Sequence, residues 1–132
     1  MPPLPELLKV LIVDDEQIVA DSLALICVGK GHAVRAAYSA EEAIDLCRWF
    51  HPHAVISDVR MGGMSGIDLA IYLHQSEPEC KVLLVSGYET SFVLAEESLE
   101  RGYFHSILPK PIHPTQVLAF LQACADGRQP SP

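Results

Sequence analysis

Short, unbroken apolar runs alternate along this chain with segments whose apolar residues recur at helical spacing. Lys9–Val13 (KVLIV) is apolar after its first residue, which predicts a strand covered on both faces. Gln17–Lys30 follows, with Val19, Leu23, Ile26 and Cys27 on one stripe and Gly29 and Gly31 marking its end. His32–Ala37 can form a second strand. Ser39, three residues before Glu42, is a capping-box pattern that opens a helix running to about Phe50, and Pro52 stops it. Ala54–Ser57 (AVIS) is a short third strand that ends at Asp58. A Gly-containing loop then leads to a helix near Ile67–Gln75, with Ile67, Ala70 and Ile71 facing inward. Lys81–Ser86 (KVLLVS) is the clearest strand. Ser91–Arg101 reads as a helix with a weak apolar stripe, Ser106–Leu108 as a minimal fifth strand, and Pro114–Ala125 as a last helix with Val117, Leu121 and Cys124 inward.

Five strands alternating with five helices predict a parallel sheet with helices on both faces. The 132 residues suit one domain, with residues 1–8 as a Pro-rich lead-in, 9–125 as the domain and 126–132 as a tail or the start of a linker. Half the composition is hydrophobic (49%) and a fifth charged (20%), the balance of a soluble globular chain. A net charge of -8 argues against direct binding of nucleic acid, which needs Lys and Arg for phosphate contacts. Cys27, Cys47, Cys80 and Cys124 are widely spaced, which fits reduced thiols rather than a disulfide framework or a zinc site. With neither a secretory-type leader nor an apolar run of membrane-spanning length, the expectation is a cytoplasmic protein that does not engage a membrane. His51, His53, His74, His105 and His113 read as surface or helix-end residues, and Trp49 as packing.

Open parallel sheets carry their sites outside the carboxyl ends of the strands. There the sequence puts Asp14 and Asp15 after the first strand, Asp58 after the third, Ser86 at the end of the fourth and Lys110 after the fifth. Carboxylates drawn that close repel, so they call for a cation or a shared proton. A hard divalent ion accepts carboxylates, a carbonyl and phosphate oxygens. A lysine and a hydroxyl opposite them suit phosphoryl oxygens by charge and by hydrogen bond. Each piece has an ordinary alternative: an Asp-Asp pair caps helices, Ser86-Gly87 makes turns, and Lys110-Pro111 suits an exposed loop. Their common edge and order set the combination apart.

LIVDDE (11–16), ISDVRMGGMSG (56–66), LLVSG (83–87) and LPKPI (108–112) resemble the motif set of response-regulator receiver domains of bacterial two-component signalling. The resemblance extends from about Lys9 to Ala125. It implies a flavodoxin-like (βα)5 three-layer α/β sandwich with strand order 2-1-3-4-5. It also implies that Asp58 is the phosphoacceptor, that Asp15 ligates Mg2+ (or Mn2+) directly, and that Asp14 does so through water. The Arg60 carbonyl would be a backbone ligand, Ser86 the switch hydroxyl next to Gly87, and Lys110 the partner of the phosphoryl group. The implied donor is a sensor histidine kinase or a histidine phosphotransfer protein. The implied readout is a changed face of the last two helices and fifth strand, turned toward an output domain or target, or toward a second copy of the chain.

Several positions depart from the family pattern. Gly62 stands where proline is frequent, and Ile107 where an aromatic is frequent. Lys110 follows Ser86 at a slightly longer spacing, and the weak fourth helix suggests an altered or mobile element. Arg60 and Tyr88 occupy places that, in the family, flank the route of attacking water, so the resemblance makes them candidates for shielding an acyl phosphate. Rival functions are less well supported. A haloacid-dehalogenase-type, Mg-dependent aspartate phosphatase would need a second acid in place of Arg60. Flavin and nucleotide modules on this fold would need a glycine-rich phosphate loop that the chain lacks. A degenerate receiver that only binds protein would not need the full acid set.

Overall fold

The computed structural model describes residues 7–87, 93, 96, 99–102, 104 and 106–127. Five strands form one parallel sheet, β1 (Lys9–Val13), β2 (Ala33–Ala37), β3 (Ala54–Asp58), β4 (Lys81–Ser86) and β5 (Ser106–Pro109), in the order β2-β1-β3-β4-β5. Four helices lie among the described residues: α1 (Gln17–Gly29), α2 (Ala40–Phe50), α3 (Gly66–Ser76) and α4 (Pro114–Ala125). The helix expected over Ser91–Arg101 lies largely outside the described residues.

Alternate residues of each central strand feed two separate cores. Val10, Ile12, Ile56, Leu83 and Val85 meet α1 and α4 on one face. Leu11, Val13, Val55, Val82 and Leu84 meet α2 and α3 on the other. This is the three-layer sandwich expected. Because both faces of β1, β3 and β4 are covered, these strands are buried along nearly their whole length and carry their polar residues toward the ends, whereas the edge strand β2 alternates exposed and half-buried residues before its buried last residue.

Local chemistry sets the helix ends. Ser39 accepts the Glu42 amide at 3.0 Å to begin α2, and Ser65 and Asp68 form a reciprocal capping box at the start of α3. That box starts α3 at Gly66 and fixes its phase. Leu69, Ala70 and Leu73 are consequently buried, while Ile67 and Ile71, expected inward, are only half-buried. In α1 the buried residues are Ala20 and Cys27, and Val19, Leu23 and Ile26 are only half-buried. A small residue at the contact lets the helix backbone come near the strands. The inward set of α4 is as expected, with Phe120, Ala123 and Ala125 added. Two assignments are corrected. Trp49 is 58% exposed, with the Arg35 guanidinium 5.3 Å from its ring centroid. His53 is half-buried and bonded to backbone instead of lying on the surface.

Candidate functional site

In a parallel sheet every strand delivers its last residue to the same edge, so the site is built by strand termini. Asp14 follows β1 directly, and its amide donates to the Ala37 carbonyl at 3.1 Å, which extends the β1–β2 ladder by one bond. Its Oδ1 accepts the Glu16 amide at 2.9 Å, turning the chain into α1, whose N-cap is Glu16. Asp58 ends β3 opposite Val85, and Ser86 ends β4 opposite Pro109. The Lys110 amide donates to the Ser86 carbonyl at 2.8 Å, which fixes where its side chain starts.

From there the Lys110 ammonium reaches Asp58 Oδ1 at 3.2 Å and Asp14 Oδ2 at 3.8 Å. Asp14 and Asp58 are 4% and 9% exposed, so this ion pair lies largely out of water, whereas Asp15 is exposed at the rim. One carboxylate oxygen from each of Asp14, Asp15 and Asp58 lies within 4.8 Å of the others. Burial pushes the Asp58 carboxyl above the usual carboxylate range despite Lys110, and Asp14 adds to that rise. Asp14 is raised as well, again chiefly by burial, against a backbone hydrogen bond and Lys110 that lower it. Burial works against the Lys110 charge, but Asp58 and Asp14 outweigh it and its pKa is raised. One ammonium therefore does not compensate the clustered carboxylates. An added cation would, and a set of hard oxygen donors this close suits a small divalent ion.

Glycines shape the cleft around these groups. A Cβ on Gly66 would collide with the Asp58 carbonyl oxygen, and the Gly66 amide donates to Val59 at 2.8 Å. The first turn of α3 thus abuts the backbone of Asp58. A Cβ on Gly87 would come within 3.2 Å of Lys110 Cδ, so the lysine stem crosses that position closely. The Gly62 amide reaches Asp15 Oδ2 at 3.4 Å, a donor that proline at this position would lack. Arg60 and Met61 line the same cleft. Ile107 is 5% exposed in the core beside the buried Phe104. Tyr88 and Tyr103 lie outside the described residues. Sequence reasoning brought Asp14, Asp15, Asp58, Ser86 and Lys110 to one edge, and they are found there. It gave Gly66 no role, although a glycine in the first turn of a helix just behind an acidic strand end was the available signal.

A doubly covered parallel sheet with clustered carboxylates and a lysine at its carboxyl edge defines a class of α/β domains. The response regulator receiver domain model matches residues 10–122, and the chain belongs to that family. The transcriptional regulatory protein YesN of Bacillus subtilis is 31% identical over 117 residues, covering 86% of this chain and 31% of that protein. The transcriptional regulatory protein FixJ of Azorhizobium caulinodans is 30% identical over 120 residues, covering 91% of this chain and 56% of that protein. A putative response regulator from Chloroflexus aurantiacus superposes with a TM-score of 0.74 at 29% identity, covering 85% of this chain and 92% of that one. The chain thus spans about a third to somewhat over half the length of these two regulators. It is a signalling module of the two-component type. No helix among the described residues is long and apolar enough to cross a membrane.

Proposed function

We propose that this domain accepts a phosphoryl group on Asp58 from a phosphohistidine of a sensor kinase or a histidine phosphotransfer protein. The observation that carries the reading is Lys110 Nζ lying 3.2 Å from Asp58 Oδ1 and 3.8 Å from Asp14 Oδ2, with Asp15 close enough to share a cation. A carboxylate oxygen of Asp58 attacks phosphorus, the P–N bond breaks, and the imidazole nitrogen leaves with the bond pair and takes up a proton. Mg2+ or Mn2+, held by Asp14, Asp15, Asp58 and the Arg60 carbonyl, would supply positive charge to the phosphoryl oxygens. Lys110 supplies charge from the opposite side and moves from its carboxylate partners to the phosphoryl group. Ser86, at the end of β4, offers a hydroxyl to the same group.

The Lys110 shift and the Ser86 hydrogen bond would together repack the segments after β4 and β5, altering the face presented to an output domain, target protein or second copy. With Ile107 already in the core, the switch has no aromatic at that position to swing inward. Arg60 and Tyr88 would shield the acyl phosphate from water. Incubation with Mg2+ and acetyl phosphate, followed by intact-mass measurement, tests the reading. A single phosphoryl adduct is expected in the native chain, and none in Asp58→Asn or with EDTA. An adduct that survives Asp58→Asn would place the phosphoacceptor at another residue, and no adduct from any small donor would move the assignment to a protein-binding receiver.

A further inference from the structure

At the opposite edge of the sheet, two imidazoles take over hydrogen bonds that backbone carbonyls cannot supply. β2 and β3 flank β1 and begin at Ala33 and Ala54, so the amides at the start of β1 have no further strand carbonyl to meet. His32, just before β2, accepts the Leu8 amide on Nδ1 at 3.0 Å. His53, just before β3, accepts the Lys9 amide on Nδ1 at 2.9 Å. The backbone closes each bridge in return: Ala33 N–H donates to the Leu8 carbonyl at 2.9 Å and His53 N–H to the Lys9 carbonyl at 2.8 Å. The consecutive amides of Leu8 and Lys9, at the entry to β1, are therefore each held by one ring, from opposite sides of the strand, that can accept only while Nδ1 carries no proton.

We propose that His32 and His53 form a proton-operated latch that fastens the first residues of β1 and releases them when the rings are protonated. A protonated Nδ1–H would face an amide N–H, so one proton turns each bond into a clash of donors. Leu8, 1% exposed in the α1/α4 core, is the apolar residue that release would loosen. Leu7 beside it lines a groove with His32, Lys30 and the α4 residues Thr115, Leu118 and Gln122, so the loosened end borders that helix.

The surroundings favour the neutral rings. Burial lowers the His32 pKa below its ordinary 6.5, and the charge sharing its groove is Lys30. Burial and then Lys9 lower that of His53, while the Lys81 amide holds the His53 carbonyl from the β4 side at 2.9 Å. Groups depressed in this way bind fewer protons in the folded chain than in the unfolded one as pH falls past 6.5. The latch's contribution is complete above that pH and is lost below it.

Amide hydrogen exchange on the whole chain tests the latch. Between about pH 7.5 and pH 5, protection at Leu8 and Lys9 should drop by about tenfold or more relative to Ile12, after correction for intrinsic rates. Asn places Oδ1 where histidine places Nδ1 and does not titrate, so His32→Asn/His53→Asn should keep protection flat over the same range. An unchanged native profile, or an equal loss in the double variant, would overturn the proposal. Ring titration by NMR in the native chain is independent of any variant. Both rings should titrate below 6.5 from a form with bare Nδ1, and titration of either ring above that value would also overturn it.

Discussion

At the carboxyl edge burial, the Lys110 ion pair and close backbone packing act on different residues, so single substitutions there should have separable effects. Gly66 is the sharpest case, because its missing Cβ is what lets α3 approach the Asp58 backbone. Gly66→Ala should destabilise the fold by ~1–3 kcal/mol through forced displacement of strand or helix, despite alanine's better helix propensity. Urea denaturation would show the loss as a lower midpoint at an unchanged slope. The chemistry-bearing residues were legible in the sequence because each directly ends or follows an apolar run. Gly66 was not, since a close approach involves two segments and only one of them is local. His53 was misjudged for the same reason: its partner, the Lys9 amide, is 44 positions away in sequence.

Elements with unbroken apolar runs or explicit caps were read to within a residue or so. β1, β4 and α4 carry the signal in their own composition, and Ser39 declares where α2 begins, whereas the Ser65 cap of α3 was not read and that helix starts at Gly66. Helical phase was harder to read. α1 carries Ile18, Leu25 and Val28 on its exposed side, so several stripes compete and burial is decided by Ala20 fitting against the sheet. The thiols extend the argument across elements. Cys27 in α1, Cys47 in α2, Cys80 before β4 and Cys124 in α4 are all buried and free. Burial pushes Cys27 up to about 11 and Cys47 and Cys124 up to about 12, and raises Cys80 further. At neutral pH little nucleophilic thiolate remains, so a disulfide reagent such as DTNB should leave all four unmodified in the folded chain and label all four in denaturant. Rapid labelling of any one under native conditions would show that its helix or strand end opens locally.

For the whole molecule, a net charge of -8 and a cluster of poorly compensated carboxylates link folding to cations. Millimolar Mg2+ should raise the melting temperature by binding the native state, and Asp15→Asn should reduce that gain. The gain should also shrink on acidification. Asp14 and Asp58 have raised folded pKa values, so they take up protons at a higher pH than free carboxyls and compete with the cation from that side. Thermal melts with and without Mg2+ across that range would check both statements. The position of the only tryptophan bears on how such experiments are observed. Trp49 lies near the end of α2, which runs back from the carboxyl edge, and its ring is stacked by Arg35 from the outer strand. Its emission should therefore report solvent and charge at the sheet's amino-terminal rim, near Lys9 and Phe50. A flat fluorescence trace on adding Mg2+ or acetyl phosphate is the expected optical behaviour of this chain, and binding is better followed by mass, heat or nuclear resonance.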